Sequence, residues 1–255
     1  VLSCLKHAAD RQVYRMSDRV SGAQFVLKLA PSAEIGALRR EHDLLRRLHD
    51  EAFPHPGACF EWGGSACLMR EYVPGRSLSE QVEDSGPFPE ARTVEIARKV
   101  CEIVRRLHHG TPPVVHRDIK PQNLILAPDG AMRLVDLDAA QELSAEKTED
   151  TVVMGSAATA APEQFGYRRC DARTDVYAIG MLLIFLLTGG YSRAGLDGAP
   201  ASRGLKRTIA RCIRFDPLRR FKSVDQLARR LRIRMIRHRG ILRPESPRLW
   251  RRSGT

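Results

Sequence analysis

Eight residues, HRDIKPQN at 116–123, set a histidine, an arginine, an aspartate, a lysine and an asparagine directly ahead of the apolar run Leu124-Ile125-Leu126. Polar groups leading into a buried strand must be paired or hydrogen-bonded, so the rest of the chain has to supply their partners. The residues after the octet read as a hairpin: a strand from Leu124 to Leu126, an APDG turn at 127–130, and a second strand from Met132 to Val135 that ends at Asp136. A tight turn puts position 126 opposite 131 and 123 near 134, which carries Asn123 and Asp136 to one end of the strand pair, beside Asp118. Three oxygen-bearing side chains then converge without a metal having been assumed.

Upstream, AQFVLKLA (23–30) alternates, with Phe25, Leu27 and Leu29 on one face and Val26 and Lys28 on the other, so Lys28 points away from its strand's apolar face. Residues 32–50 are predicted helical with an inward stripe of Ile35, Leu38, Leu45 and Leu48, and Glu41 falls on that stripe. A carboxylate on an apolar face requires a cation, and Lys28 is its expected partner, with Glu34 as the other acidic choice. ACLMREY (66–72) reads as a further strand and VPGRSL (73–78) as a turn-rich connection. A long amphipathic helix at 90–110 is stopped by Gly110 and Pro112. AIGMLLIFLL (178–187) is shorter than the roughly 20 residues a bilayer span needs and reads as a core helix.

The length of 255 residues and the apolar content of 43% suffice for a large core. Six cysteines show neither a C-x-x-C pair nor metal-ligand spacing, which predicts reduced thiols and a cytosolic setting. From Arg229 onward ten arginines face one glutamate, so nine of the chain's twelve net positive charges lie in that stretch. The alternatives there are a solvated helix end, an anionic membrane surface or a juxtamembrane segment. Nucleic acid ranks last, because no aromatic platform accompanies the charge.

HRDIKPQN, followed by VDLD (135–138), APE (161–163), TDVYAIG (174–180) and FDPLRRF (215–221), resembles the catalytic half of eukaryotic-type serine/threonine protein kinases. The stretch AAPEQFGYRRCDARTDVYAIGMLL is similar to bacterial members. The resemblance implies a two-lobed α+β fold: a small β-rich N-lobe with one key helix (1–72), a mainly helical C-lobe (73–236) and a basic tail (237–255). It implies ATP and Mg²⁺, protein substrates, and autophosphorylation, with a homodimer as one route to it. Asp118 would orient the incoming hydroxyl, and Lys120 would offset charge on the γ-phosphate. Asn123 and Asp136 would hold Mg²⁺, while Lys28, paired with Glu41, would contact the phosphates. Val13, Val26, Glu71 and Val73 fall at nucleotide-contact positions. Asp175 would bond the backbone of the 116–118 turn, Glu163 would pair with Arg220, and His116 would be a packed histidine. Arg117 would dock a phosphorylated loop residue, with Thr148 and Thr151 favoured among Ser144, Thr148, Thr151, Ser156 and Thr159.

The pattern departs in three places. Aligning Val13 with the valine of G-x-G-x-x-G-x-V puts Lys6, Ala8 and Arg11 at the glycines, so Arg11 or Lys6 would lend charge in place of backbone N–H groups. Leu137 and Asp138 replace the phenylalanine and glycine of D-F-G, and Asp138 would recruit further metal or restrict the loop. Arg70 stands behind the adenine position, where its burial would call for Glu41 or Asp136. A pseudokinase, acting as a nucleotide-binding or interaction scaffold, is the rival reading. Small-molecule kinases share the aspartate and asparagine but not the APE segment.

Overall fold

A computed structural model describes residues 1–7, 11–143, 158–166 and 168–239, with side chains described as far as Arg232. The chain opens with strands β1 (Ser3–His7), β2 (Gln12–Ser17) and β3 (Gln24–Pro31), then helix α1 (Ile35–Leu48), and returns through β4 (Pro56–Trp62) and β5 (Ser65–Glu71). Among the described residues these strands form one antiparallel sheet in the order β1-β2-β3-β5-β4. Pairing of β3 with β5 sets Val26 opposite Arg70, Lys28 opposite Leu68 and Ala30 opposite Ala66, and all six residues are buried. The face carrying Lys28 is thus the deeply buried one, whereas Phe25, Leu27 and Leu29 are half-buried. Leu38 of α1 joins Ala30, Ala66 and Leu68 in a small core there. The inward stripe of α1 is Leu38, Glu41, Leu44 and Leu45, with Ile35 and Leu48 only partly covered.

Next come β6 (Arg76–Ser77), α2 (Leu78–Ser85), α3 (Glu90–His108), β7 (Val114–Val115), β8 (Leu124–Leu126), β9 (Met132–Leu134) and β10 (Gln141–Glu142). Helix α2 starts at a capping box: Ser77 Oγ accepts the Glu80 N–H and Glu80 Oε2 accepts the Ser77 N–H. The β8–β9 hairpin is in register Leu124↔Leu134 and Leu126↔Met132, one residue away from the sequence expectation. Gly130, at φ 82°, supplies the extra residue of a turn followed by a left-handed position, which moves Asn123 opposite Val135.

The rest of the described chain is helical: α4 (Ala172–Thr188), α5 (Arg193–Gly198), α6 (Arg203–Cys212) and α7 (Val224–Arg239). Helix α4 is capped by Asp171 and stopped by Gly189 at φ 74°, and it is buried from Thr174 to Leu187. It is hydrophobic on every side because α3, α5, α6 and α7 all pack on it. Gly180 permits the closest of these approaches, since a Cβ there would lie 2.6 Å from the Cys212 Cβ. Among the described residues no helix is long and apolar enough to cross a membrane.

One buried ion pair joins the APE segment to the end of the helical half. Arg220 Nη1 and Nη2 donate to the two oxygens of Glu163 at 2.7 and 2.8 Å. Its remaining protons go to the carbonyls of Arg214, Arg173 and Phe215, and the guanidinium lies 4.8 Å from the Tyr177 ring centre. Five donors in a rigid fork are all engaged, which the three-donor, point-charge ammonium of lysine cannot reproduce. Arg220→Met is expected to destabilise the fold by about 3–5 kcal/mol in urea unfolding, because Glu163 is left buried without its partner, and Arg220→Lys by less, because it keeps the charge and loses the fork.

Candidate active site

Two elements of opposite periodicity bring the first pair together. Lys28 projects from the buried face of β3 and Glu41 from the inward stripe of α1, and Lys28 Nζ donates to both Glu41 oxygens at 2.7 and 2.8 Å. Its third bond, at 2.6 Å, goes to Asp136 Oδ1 in the loop after β9. Burial alone would raise the Asp136 pKa, but the charge and hydrogen bond of Lys28, helped by Arg70, outweigh it and hold the carboxyl well below the usual range. Asp136 is therefore ionised at neutral pH.

Arg70 is buried on the same sheet face. Desolvation pushes its pKa down, while the charges of Glu41, Asp136 and Glu71 pull it up. Its one described side-chain hydrogen bond, 3.4 Å from Nη1 to the Glu71 carbonyl, is weak, and Nε has no partner. The carboxylates expected to neutralise it thus act through their field. Glu71 itself is fixed by Arg133 Nη1 at 3.0 Å and the His55 N–H at 2.9 Å. Val26 and Val73 are buried, and Val13 on β2 lies opposite Lys28.

The octet forms a turn whose backbone is strained and over-determined. Arg117 adopts φ 65°, a left-handed conformation that costs a residue bearing a side chain of order 1–3 kcal/mol. Asp175 holds it from below, with Oδ1 accepting the Arg117 N–H and Oδ2 the His116 N–H, both at 2.9 Å. Gln164 donates to the Arg117 carbonyl at 2.9 Å, and Arg117 itself donates to the Ala139 carbonyl and Gln141 Oε1. His116 is fully buried, and its Nδ1 accepts the Asp118 N–H at 3.2 Å.

Above this turn Lys120 Nζ lies 2.6 Å from Asp118 Oδ2, and Asn123 Nδ2 donates to the Asp118 carbonyl at 3.0 Å and to Oδ2 at 3.2 Å. Those bonds leave Asn123 Oδ1 and Asp136 Oδ2 without hydrogen bonds among the described residues. A hard divalent cation needs such oxygens, and one carboxylate with one amide is the sparse set that Mg²⁺ completes with water and phosphate. Among the described residues no group of three or more His, Cys, Asp or Glu could hold a metal unaided. The donor set fits Mg²⁺.

Several placements differ from the sequence reading. Arg11 is not a free cation facing phosphate: its Nε donates to Glu34 Oε2 at 2.9 Å and its Nη1 to Asp138 Oδ2. Glu34 is thereby engaged with Arg11, not with Lys28. Lys6 lies on the exposed strand β1. Ala8, Ser144, Thr148, Thr151 and Ser156 lie outside the described residues, while Thr159 is buried. Sequence reasoning missed His108, whose Nε2 lies 2.7 Å from Asp175 Oδ2, and Gln164. The signal for His108 was a histidine next to Leu107 at the buried end of α3.

This constellation on a β-rich lobe over a helical one defines a phosphoryl-transfer architecture. The protein kinase domain family matches residues 10–244, and the chain belongs to that family. It is similar to the serine/threonine-protein kinase PknB of Mycobacterium leprae, 33% identical over 124 residues, covering 48% of this chain and 20% of that protein. The serine/threonine-protein kinase PknL of Mycobacterium tuberculosis is 35% identical over 123 residues, 48% of this chain and 30% of that protein. The mitogen-activated protein kinase kinase kinase 19 of Mus musculus is 32% identical over 177 residues, 67% of this chain and 13% of that protein. The chain spans less than a third of the length of each of these relatives.

Burial works to raise the Asp175 pKa, but the hydrogen bond and charge of His108, with His116, bring it below the usual carboxylate range. A depressed carboxylate contributes stability above the unfolded-state value, about pH 4, and loses it as pH falls through the lower folded value. Asp175→Asn orphans one backbone donor at a cost of about 1–3 kcal/mol at neutral pH. The gap between parent and variant should narrow below about pH 4, as read by urea unfolding across that range.

Proposed function

We propose that this chain transfers the γ-phosphate of ATP to serine or threonine hydroxyls of proteins. The observation that supports this reading best is the convergence of two linked clusters: Lys28 with Glu41 and Asp136 at 2.6–2.8 Å, and Asp118 with Lys120 and Asn123 at 2.6–3.2 Å. Phosphoryl transfer asks a protein mainly for position and charge, and each of these groups has such a task.

Asp118 orients the attacking hydroxyl and accepts its proton. Lys120, on the same carboxylate, faces the charge that develops on the transferred group. Lys28 grips the α- and β-phosphates while Glu41 keeps its ammonium from swinging away. Asn123 and Asp136 hold Mg²⁺, which when bound offsets the charge on the phosphate oxygens. Val13 and Val26 sandwich the purine from the sheet side, and the backbone at Glu71 and Val73 offers it hydrogen bonds. The strained Arg117 turn keeps Asp118 aimed before substrate arrives, so little reorganisation remains for the reactive complex. Thr148 and Thr151 are the proposed sites of autophosphorylation, and the basic segment 237–255 is proposed to meet an anionic membrane surface.

An intact-mass time course with Mg²⁺ and ATP tests this. The parent should gain steps of one phosphate, and Asp118→Ala should slow them by about 10²–10⁴-fold, the usual worth of a positioned general base. Equal rates in both, or no gain in either with generic protein substrates supplied, would refute it. Chelating the metal should stop the parent reaction, and adding Mg²⁺ back should restore it.

A further inference from the structure

Two of the departures from the kinase pattern meet in space. Arg11 stands immediately before β2, where the lid's last glycine belongs, and Asp138 stands where D-F-G ends in glycine. Arg11 Nη1 donates to Asp138 Oδ2, while Nε, at 2.9 Å, and Nη2 both donate to Glu34 Oε2. Glu34 occupies the N-cap position of α1. One guanidinium therefore ties together the lid strand, the front of the helix that carries Glu41, and the loop that carries Asp136.

We propose that Arg11 and Asp138 are paired positioning residues, a clasp that fixes the lid strand β2, α1 and the metal loop in one arrangement and joins two of the positions where the pattern has glycine. Three observations and one conformational argument support it. The three side chains are only 33%, 31% and 21% exposed, so their charges are more shielded than those of an open surface pair. Asp138 Oδ1 is buried with no partner, which leaves Arg11 as its direct counter-charge among the described residues. The Asp138 N–H lies 3.3 Å from Asp136 Oδ1, so a shift of residue 138 reaches the metal ligand directly. Glycine at 138 would also leave the loop free to turn over, and an aspartate held by Arg11 removes that freedom.

The clasp differs in kind from a phosphate contact. A guanidinium that bound ATP directly would lower KM and be indifferent to Asp138. One that acts through Asp138 changes the fraction of molecules with Asp136 in place, and so changes kcat. Without Arg11, Glu34 and Asp138 lose their shared counter-charge, and Asp138 remains as an unbalanced negative charge two residues from Asp136.

The inference rests on the kinase reading for its kinetic arm but not for its structural arm. The experiment is a double-mutant cycle of the parent chain, Arg11→Ala, Asp138→Asn and the two combined, with Arg11→Lys as the conservative variant. Thermal unfolding is measured without nucleotide or metal, and autophosphorylation kinetics are measured with both. Each single substitution should lower the unfolding midpoint, the combination should fall no further than the worse single, and Arg11→Lys should recover part of the loss. In the kinetic arm, both singles should lower kcat about three- to tenfold, a size that coupled neighbouring charges reach, with the KM for ATP unchanged within about twofold. Additive unfolding shifts would overturn the clasp, as would an Arg11→Ala effect confined to KM and absent from Asp138→Asn. If the parent transfers no phosphate, the kinase reading fails on its own and additivity of the unfolding midpoints still decides the clasp.

Discussion

The small lobe hangs on one ammonium group. Lys28 has three protons to donate, and two go to Glu41 and one to Asp136, each on a different element from its own. Neither carboxylate could stay charged and buried alone, so helix, strand and loop are bound to one another by the cost of separating them. One cation against two carboxylates leaves a negative excess, and Arg70, buried on the same sheet face, balances it without touching either. Lys28 and Arg70 thus balance Glu41 and Asp136, and this cluster tolerates its desolvated charges because they sum close to zero.

The large lobe adds to its buried Glu163–Arg220 ion pair a set of hydrogen bonds to the backbone of the octet's turn. Arg117 is held in its left-handed conformation by Asp175 of α4 below and Gln164 beside it, and the segment of Gln164 is tied to α4 through Glu163 and Thr174. Strain of this kind persists only where surroundings outnumber it. The turn before Asp118 is thus fixed through its backbone, while Glu41 and Asp136 are held through their side chains by Lys28.

Legibility in the sequence followed the range of the interaction. Alternation in residues 23–30 and the helical stripe after them were enough to bring Lys28 to Glu41, because each pattern is local and the misfit residue on each demanded a partner. The hairpin that sets Asn123 opposite Val135, next to Asp136, was readable from turn chemistry, although the register was off by one because Gly130 takes a left-handed position that an APDG string alone does not reveal. The buried nature of α4 was plain from its unbroken apolar run. Arg11 with Asp138 was not readable, since the two lie 127 positions apart and no periodicity marks either end, and for His108 the sequence marked the histidine beside Leu107 but not its partner Asp175, 67 positions on. For Arg11 the sequence offers a position and not its neighbours, and position alone points to phosphate.

The two lobes also differ in how much oil they contain. Four buried apolar residues, Ala30, Leu38, Ala66 and Leu68, make up the small core, whereas the large core runs from Leu44 to Leu231 and surrounds α4. Helix α1 belongs to both, with Leu38 in one and Leu44 and Leu45 in the other. Protection of backbone amides against solvent exchange should therefore fall off along that single helix, from its rear turn to its front, as the chain opens in parts before it opens as a whole. The carboxylate that steadies Lys28 sits on that helix between the residues of the two cores.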